Sequence, residues 1–374
     1  GQYTGARLLS KLRSDDLFLI DVDPARIQMT IDQEDPALTG NAFLHVGSVA
    51  GGDWDLGGMP VVEHGHVAQI LWAYVVEKQS LSSIPQYQSN LHRIEQGDLI
   101  DSCTTAAEYE ARWRQIAALY TTMKKEGYKT QVELGSDNPL DEIRVQIGRR
   151  GEFLFEEGLH RLVIAQVLEL PAVPVLVTRR HADWAALRDA VLRIVLQRGF
   201  IHQPFNHPDL DSLPLHYGNE LADKALYGHE RWHYIEQNLP LESGSVLDIG
   251  AYFGYFDHRL EQLGFDCFAV EPDRENLAVL YLYRTMQKRQ FTVWPNSIFD
   301  IDRHDFDVVL ALNIFHHLVR TQDEYELLVT FLQRLSCRGL FFEPDDNAGI
   351  EAFRHFDEPE FVAFVMATAG LQKV

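Results

Sequence analysis

From residue 245 onward the hydrophobic and polar positions fall into a repeating alternation. Apolar runs at 245–249, 266–270, 291–294, 307–312 and 339–342 have the length of buried strands. Segments with apolar residues three and four apart predict helices near 221–238, from Tyr255 and from Arg274. Strands that alternate with helices imply a parallel sheet, which places a ligand at the strands' carboxyl ends.

The first half is patterned differently. Strand-like runs at 17–22, 26–31 and 42–46 and helical runs at 66–78 and 107–126 precede a strand pair at 144–147 and 153–155. A helix at 159–169, a strand at 173–177 and a helix from Trp184 follow. This order reads as α+β. The stretch from His202 to Asn219 carries three prolines and little periodicity, the mark of a linker. The expected division is therefore a domain at 1–200, a linker at 201–220 and an α/β domain at 221–374.

Composition narrows the function. With 46% hydrophobic and 24% charged residues the 374-residue chain is expected to fold as a cytoplasmic protein, and no apolar run approaches the roughly eighteen residues that span a bilayer. A formal charge of -22 repels phosphate backbones, so nucleic acid is a disfavoured partner. Cys103, Cys267 and Cys337 stand far apart and suggest neither a disulfide framework nor a zinc site. The chain opens on Gly-Gln-Tyr without Met, read as a trimmed start.

The most informative motif is Val246-Leu247-Asp248-Ile249-Gly250-Ala251-Tyr252-Phe253-Gly254-Tyr255-Phe256, an apolar strand, a glycine-bearing turn and a helix start. Small residues at such a turn let backbone approach a ligand closely. The next strand ends in Val270-Glu271-Pro272-Asp273, where a carboxylate can accept both hydroxyls of a ribose. A dinucleotide fingerprint would need glycine at 252 and 255, and both are tyrosine. The pattern resembles class I S-adenosylmethionine-dependent methyltransferases, with Tyr252 replacing the middle glycine of their first motif. Residues 306–318, ending in Asn313-Ile314-Phe315-His316-His317-Leu318, resemble that family's fourth strand and following loop. The resemblance implies a Rossmann-like doubly wound sheet. It implies that Asp248 and Gly250 shape the methionine end, that Glu271 holds the ribose and that Asn296 and Ser297 lie near the adenine, with Tyr252, Gly254 and Asn313 also binding the cofactor. His316 or His317 is expected to take a proton from a hydroxyl acceptor; packing at the strand end is the alternative. The family adds a last pair of strands after its fifth, so the chain is expected to be a truncation.

In the first half, Glu156-Glu157-Gly158-Leu159-His160-Arg161 joins a strand to a helix, and a helix N-terminus with His160 and Arg161 can hold a phosphate. This segment resembles the ParB/sulfiredoxin-like fold, whose GxHR turn binds nucleotide phosphates; Leu159 stands where sulfiredoxins carry their cysteine. The resemblance implies ATP or CTP binding with Mg2+ at Gly158, His160 and Arg161, or kinase activity, with Glu157 orienting the acceptor and Asp53 and Asp55 as metal ligands. The alternatives are a recognition domain without chemistry, or a ParB-like reader of nucleic acid. His229-Glu230-Arg231-Trp232-His233 satisfies HExxH, but no third ligand is evident and a helix surface is the simpler expectation. The combined expectation is a methyltransferase, bifunctional with a kinase, acting on a small-molecule or glycan hydroxyl or phosphate.

Overall fold

The computed structural model describes residues 19–31, 46–61, 65–136, 138, 141–199, 201–213, 222–344 and 352–372. Most of the expected strand at 42–46, residues 17–18 and the 214–219 part of the expected linker lie outside them. The chain divides into two compact units, 1–186 and 187–374, and the division falls inside helix α5 (Ala182–Arg198).

The first unit is built on a mixed seven-stranded sheet in the order β1-β7-β5-β6-β2-β4, with β3 also pairing β7. Its strands are β1 (Leu19–Val22), β2 (Met29–Thr30), β3 (Ser48–Ala50), β4 (Met59–Pro60), β5 (Ile143–Ile147), β6 (Phe153–Glu157) and β7 (Val173–His181). The expected strand at 26–31 shrinks to β2, because Pro24–Arg26 forms a single 3-10 turn capped by Asp23. Among the described residues, four helices belong here: α1 (Gly65–Leu71), α2 (Pro85–Glu95), α3 (Ala106–Glu126) and α4 (Leu159–Val167). Helix α3 opens on a capping box in which Thr105 and Glu108 each bond the other's backbone.

The second unit holds a five-stranded, wholly parallel sheet in the order β10-β9-β8-β11-β12. The strands are β8 (Ser245–Ile249), β9 (Asp266–Val270), β10 (Thr292–Trp294), β11 (Val308–Leu312) and β12 (Gly339–Glu343). Its helices after α5 are a single turn α6 (Pro208–Asp211), then α7 (Ala222–Gln237), α8 (Tyr255–Gln262), α9 (Arg274–Met286), α10 (Gln322–Arg334) and α11 (Glu358–Ala369). The period of two along β8 sorts the core. Leu247 and Ile249 face α10 and α11 through Leu328, Phe331 and Phe361. Val246 faces α7, α8 and α9 through Trp232, Phe256, Leu260 and Leu280. Helices on both faces make this a doubly wound α/β unit, and strand order reverses between β8 and β11.

The proline-rich stretch behaves differently from a linker over its described part. Ile201, Phe205, Leu210 and Leu213 are buried. Asn206 donates to the Tyr255 carbonyl, and Pro204 lies where a Cβ on Gly228 would come within 2.3 Å of it. These contacts make 201–213 a packed strap of the second unit. Among the described residues no helix is long and apolar enough to cross a membrane.

Candidate functional site

The reversal of strand order falls between β8 and β11, the place where doubly wound sheets bind ligands, and the chain leaving β8 borders it. Gly250 and Gly254 take left-handed φ values of 75° and 79°, and Tyr252 between them takes 56°. A Cβ on Gly250 would lie 3.0 Å from Ile314, so glycine lets the turn press against the loop after β11. The N–H groups of Gly250 and Ala251 both donate to the Val270 carbonyl, at 2.9 and 3.0 Å, which ties the turn to β9.

Glu271, the first residue after β9, sits beneath this turn. Oε2 accepts the Tyr252 N–H at 2.9 Å, and Oε1 accepts the Asp273 N–H at 2.8 Å and Asn276 Nδ2 at 3.4 Å. Burial pushes this carboxyl above its ordinary range, against the pull of those bonds toward the ionised form. An ionised carboxylate offers about four lone-pair positions, so three bonds leave capacity for a ligand hydroxyl. Glu271 itself is 4% exposed.

The Tyr252 side chain joins an aromatic cluster. Its ring is 5% exposed, lies 3.9 Å from the Phe253 ring centroid to centroid, and meets His202 of the strap edge-on. Phe205 stacks on Phe253 and meets Tyr283 of α9 edge-on. Arg198, at the end of α5, pairs with Asp273 and Glu275 and bonds Asn276 at the start of α9. His202 and Phe205 were not foreseen from sequence, because the stretch that carries them reads as linker, and Arg198 was not, because it ends a helix with no motif of its own.

The other expected residues gather around the same turn or just behind it. Asp248 is 2% exposed and points with Val246 into the helical core, so it supports the turn from below. Asn313, at φ 54°, donates its N–H to the Glu343 carbonyl at the head of β11. His316 and His317 follow on a 3-10 turn (Phe315–Val319), with rings 3.9 Å apart; His316 is buried, and His317 bonds Arg320 at 2.8 Å. Because Ile314 packs on Gly250, this turn stands beside the glycines. Ser297 caps the next 3-10 turn through Phe299 N–H, while Asn296 is exposed.

In the first unit, Glu157, Gly158, His160 and Arg161 line a cleft of about 660 Å³ with Asp101 and Arg112. Gly158 has φ 97° and its Cβ would meet Ile143 Cα at 3.0 Å, so the turn requires glycine. Arg161 is engaged by the Asp141 carboxylate and by the Asp141 carbonyl, and Glu157 pairs with Arg144. Asp53 and Asp55, candidate metal ligands by residue type, lie at the far end of β6. Arg149 in the β5–β6 turn clamps Asp55 through Nε and one terminal nitrogen and reaches Asp53 at 2.8 Å. Five residues of strand at about 3.3 Å each put them roughly 17 Å from Gly158. No group of three or more metal-ligating side chains occurs among the described residues. In the HExxH segment His229 bonds Tyr255 and His233 bonds Gln237, so the two imidazoles have separate partners.

No protein-family model matches the chain, and neither does any curated protein. Solved structures with partial likeness include WbdD, with 21% identity, a TM-score of 0.35, and coverage of 46% of this chain and 40% of that one. Another structure of WbdD describes it as a bifunctional kinase-methyltransferase. A methyltransferase dependent on S-adenosylmethionine from Clostridium acetobutylicum ATCC 824 shares 16% identity over 33% of this chain and 54% of its own, with a TM-score of 0.27. The PH0226 protein from Pyrococcus horikoshii OT3 shares 19% over 33% and 60%, also at 0.27. The chain thus spans less than two thirds of each of these proteins, and overlaps of this size assign no activity.

Proposed function

We propose that the second unit is a methyltransferase that binds S-adenosylmethionine. The observation that carries this reading is Glu271 at the end of β9, hydrogen-bonded to the left-handed turn that leaves β8 next to the reversal of strand order. The fit to the nucleoside rests on the glycine cradle against Ile314 and on the remaining acceptor capacity of Glu271. When bound, the cofactor would supply an electrophilic methyl carbon on sulfur. The protein's part is then to hold an acceptor atom near that carbon and in line, which needs no obligatory base. Glu271 orients the ribose, and the Gly250 turn brings main chain against the ligand. His317, half-buried on the turn beside Gly250, takes a proton if the acceptor is a hydroxyl.

The acceptor in this reading is a hydroxyl or phosphate of a small metabolite or glycan end, since the charge of -22 disfavours nucleic acid. For the first unit the geometry favours recognition over phosphoryl transfer: Arg161 is committed to Asp141, and the two aspartates meant for Mg2+ are both engaged by Arg149. Calorimetric titration of the full chain with S-adenosylmethionine tests the proposal. Stoichiometric heat that Glu271→Ala abolishes is expected; absence of heat from both the wild type and a Tyr252→Gly variant overturns it.

A further inference from the structure

Asp257 was not singled out by any motif, yet it is fully buried in the second unit, at 0% exposure. It sits in the first turn of α8 between Phe256 and His258, on the helix that packs over the Val246 face of β8. Asp248 is turned to the same face. Asp248 Oδ2 and both carboxylate oxygens of Asp257 have no hydrogen-bond partner. A buried ionised carboxylate without a donor costs several kcal/mol, and two in contact cannot both ionise.

The nearby charged groups that act on the pair are acids, Glu271 on Asp248 and Glu261 of α8 on Asp257, and the pair adds to the burial that raises the Cys267 thiol. His258, the next residue of α8, is kept neutral by burial, which pushes its imidazole down to about 3. The donor missing from this arrangement is a proton. Burial first, and mutual repulsion second, hold Asp257 far above the ordinary carboxylate range, and burial does the same for Asp248.

We propose that Asp257 is a positioning residue that shares one proton with Asp248 and so fixes the end of β8 from which the nucleoside-binding turn departs. The ligand named here rests on the methyltransferase reading; the shared proton does not. Acid groups whose folded-state affinity for protons is raised bind them more tightly when folded, so stability falls as pH climbs from about 4 through the raised value and then levels off. Loss of the proton places a second charge under the turn and disturbs it.

The test measures thermal unfolding and S-adenosylmethionine affinity of the full chain between about pH 5 and pH 9, in wild type and Asp257→Asn. The amide that replaces the carboxyl carries N–H groups that do not titrate in this range, so it offers Asp248 the missing donor at every pH. Wild type is expected to lose about tenfold in affinity across the range, the equivalent of one pH unit of coupling, while Asp257→Asn stays flat. Identical pH profiles of unfolding in the two proteins overturn the proposal. Should neither wild type nor Tyr252→Gly give heat with S-adenosylmethionine, the methyltransferase reading falls, and the unfolding profiles still judge the proton. If Asp257→Asn does not fold, the infrared carbonyl band of a protonated buried carboxyl in wild type at neutral pH decides: its presence and loss on alkalisation support the pair, its absence refutes it.

Discussion

The main-chain N–H of Tyr252 donates to Glu271 Oε2 at 2.9 Å, so the middle residue of the left-handed turn is tied to the carboxylate that follows β9. The left-handed φ of 56° at Tyr252 is a conformation that costs a non-glycine residue about 1–2 kcal/mol.

Tyr252→Gly relieves that backbone cost and takes away the ring without removing the N–H bond. S-adenosylmethionine should bind about tenfold tighter than to wild type, read by calorimetry. Unchanged or weaker binding would show that neither the ring nor the strained backbone limits binding.

Glu271→Gln keeps the shape of the side chain but can no longer accept at both ends. One of the N–H groups of Tyr252 and Asp273 loses its acceptor, and hydrogen exchange at these two amides should accelerate by about tenfold or more. Exchange as slow as in wild type would mean that the carboxylate does not organise the turn.

Arg149→Ala leaves Asp55, whose side chain is 2% exposed, without its cation. Breaking such a pair from one side strands a buried charge, so the thermal midpoint of the first unit should fall by about 4 °C or more. Burial raises the Asp55 carboxyl, but its bonds to Arg149 outweigh this and hold it below the ordinary range. The pair's contribution is therefore present above about pH 4 and lost as pH falls through the lowered value. The difference between wild type and Arg149→Ala should accordingly shrink in acid.

Gly158→Ala tests the turn before α4. At φ 97°, with Ile143 Cα 3.0 Å from the new methyl, a loss of about 1–3 kcal/mol is expected in the stability of the first unit. A neutral result would show that the β6–α4 junction tolerates a shifted backbone.

Periodicity was a good guide where one face of an element meets a core. The bounds of β8 and β9 coincide with the apolar runs 245–249 and 266–270, and α3 and α7 lie within a residue or two of expectation. Helices α2, α10 and α11 went unread although their signals are present: Pro85 opens α2, and Thr321 with Glu324 and Asp357 with Glu360 form capping boxes for the other two. Local chemistry of that kind is written in a few neighbouring letters, as is the Gly250 turn.

Long-range pairing is not. Whether Asp55 meets a metal or Arg149, whether 201–213 hangs free or packs against Gly228 and Phe253, and that Asp257 comes to rest beside Asp248 all depend on which distant segments the sheet brings together. The sequence by itself settled the alternation of strands and helices and the glycines its turns demand, because these follow from steric and burial constraints acting within a few residues. Burial and the low dielectric of the assembled core decided the rest, since the charge and partners of an acid depend on neighbours that only folding supplies.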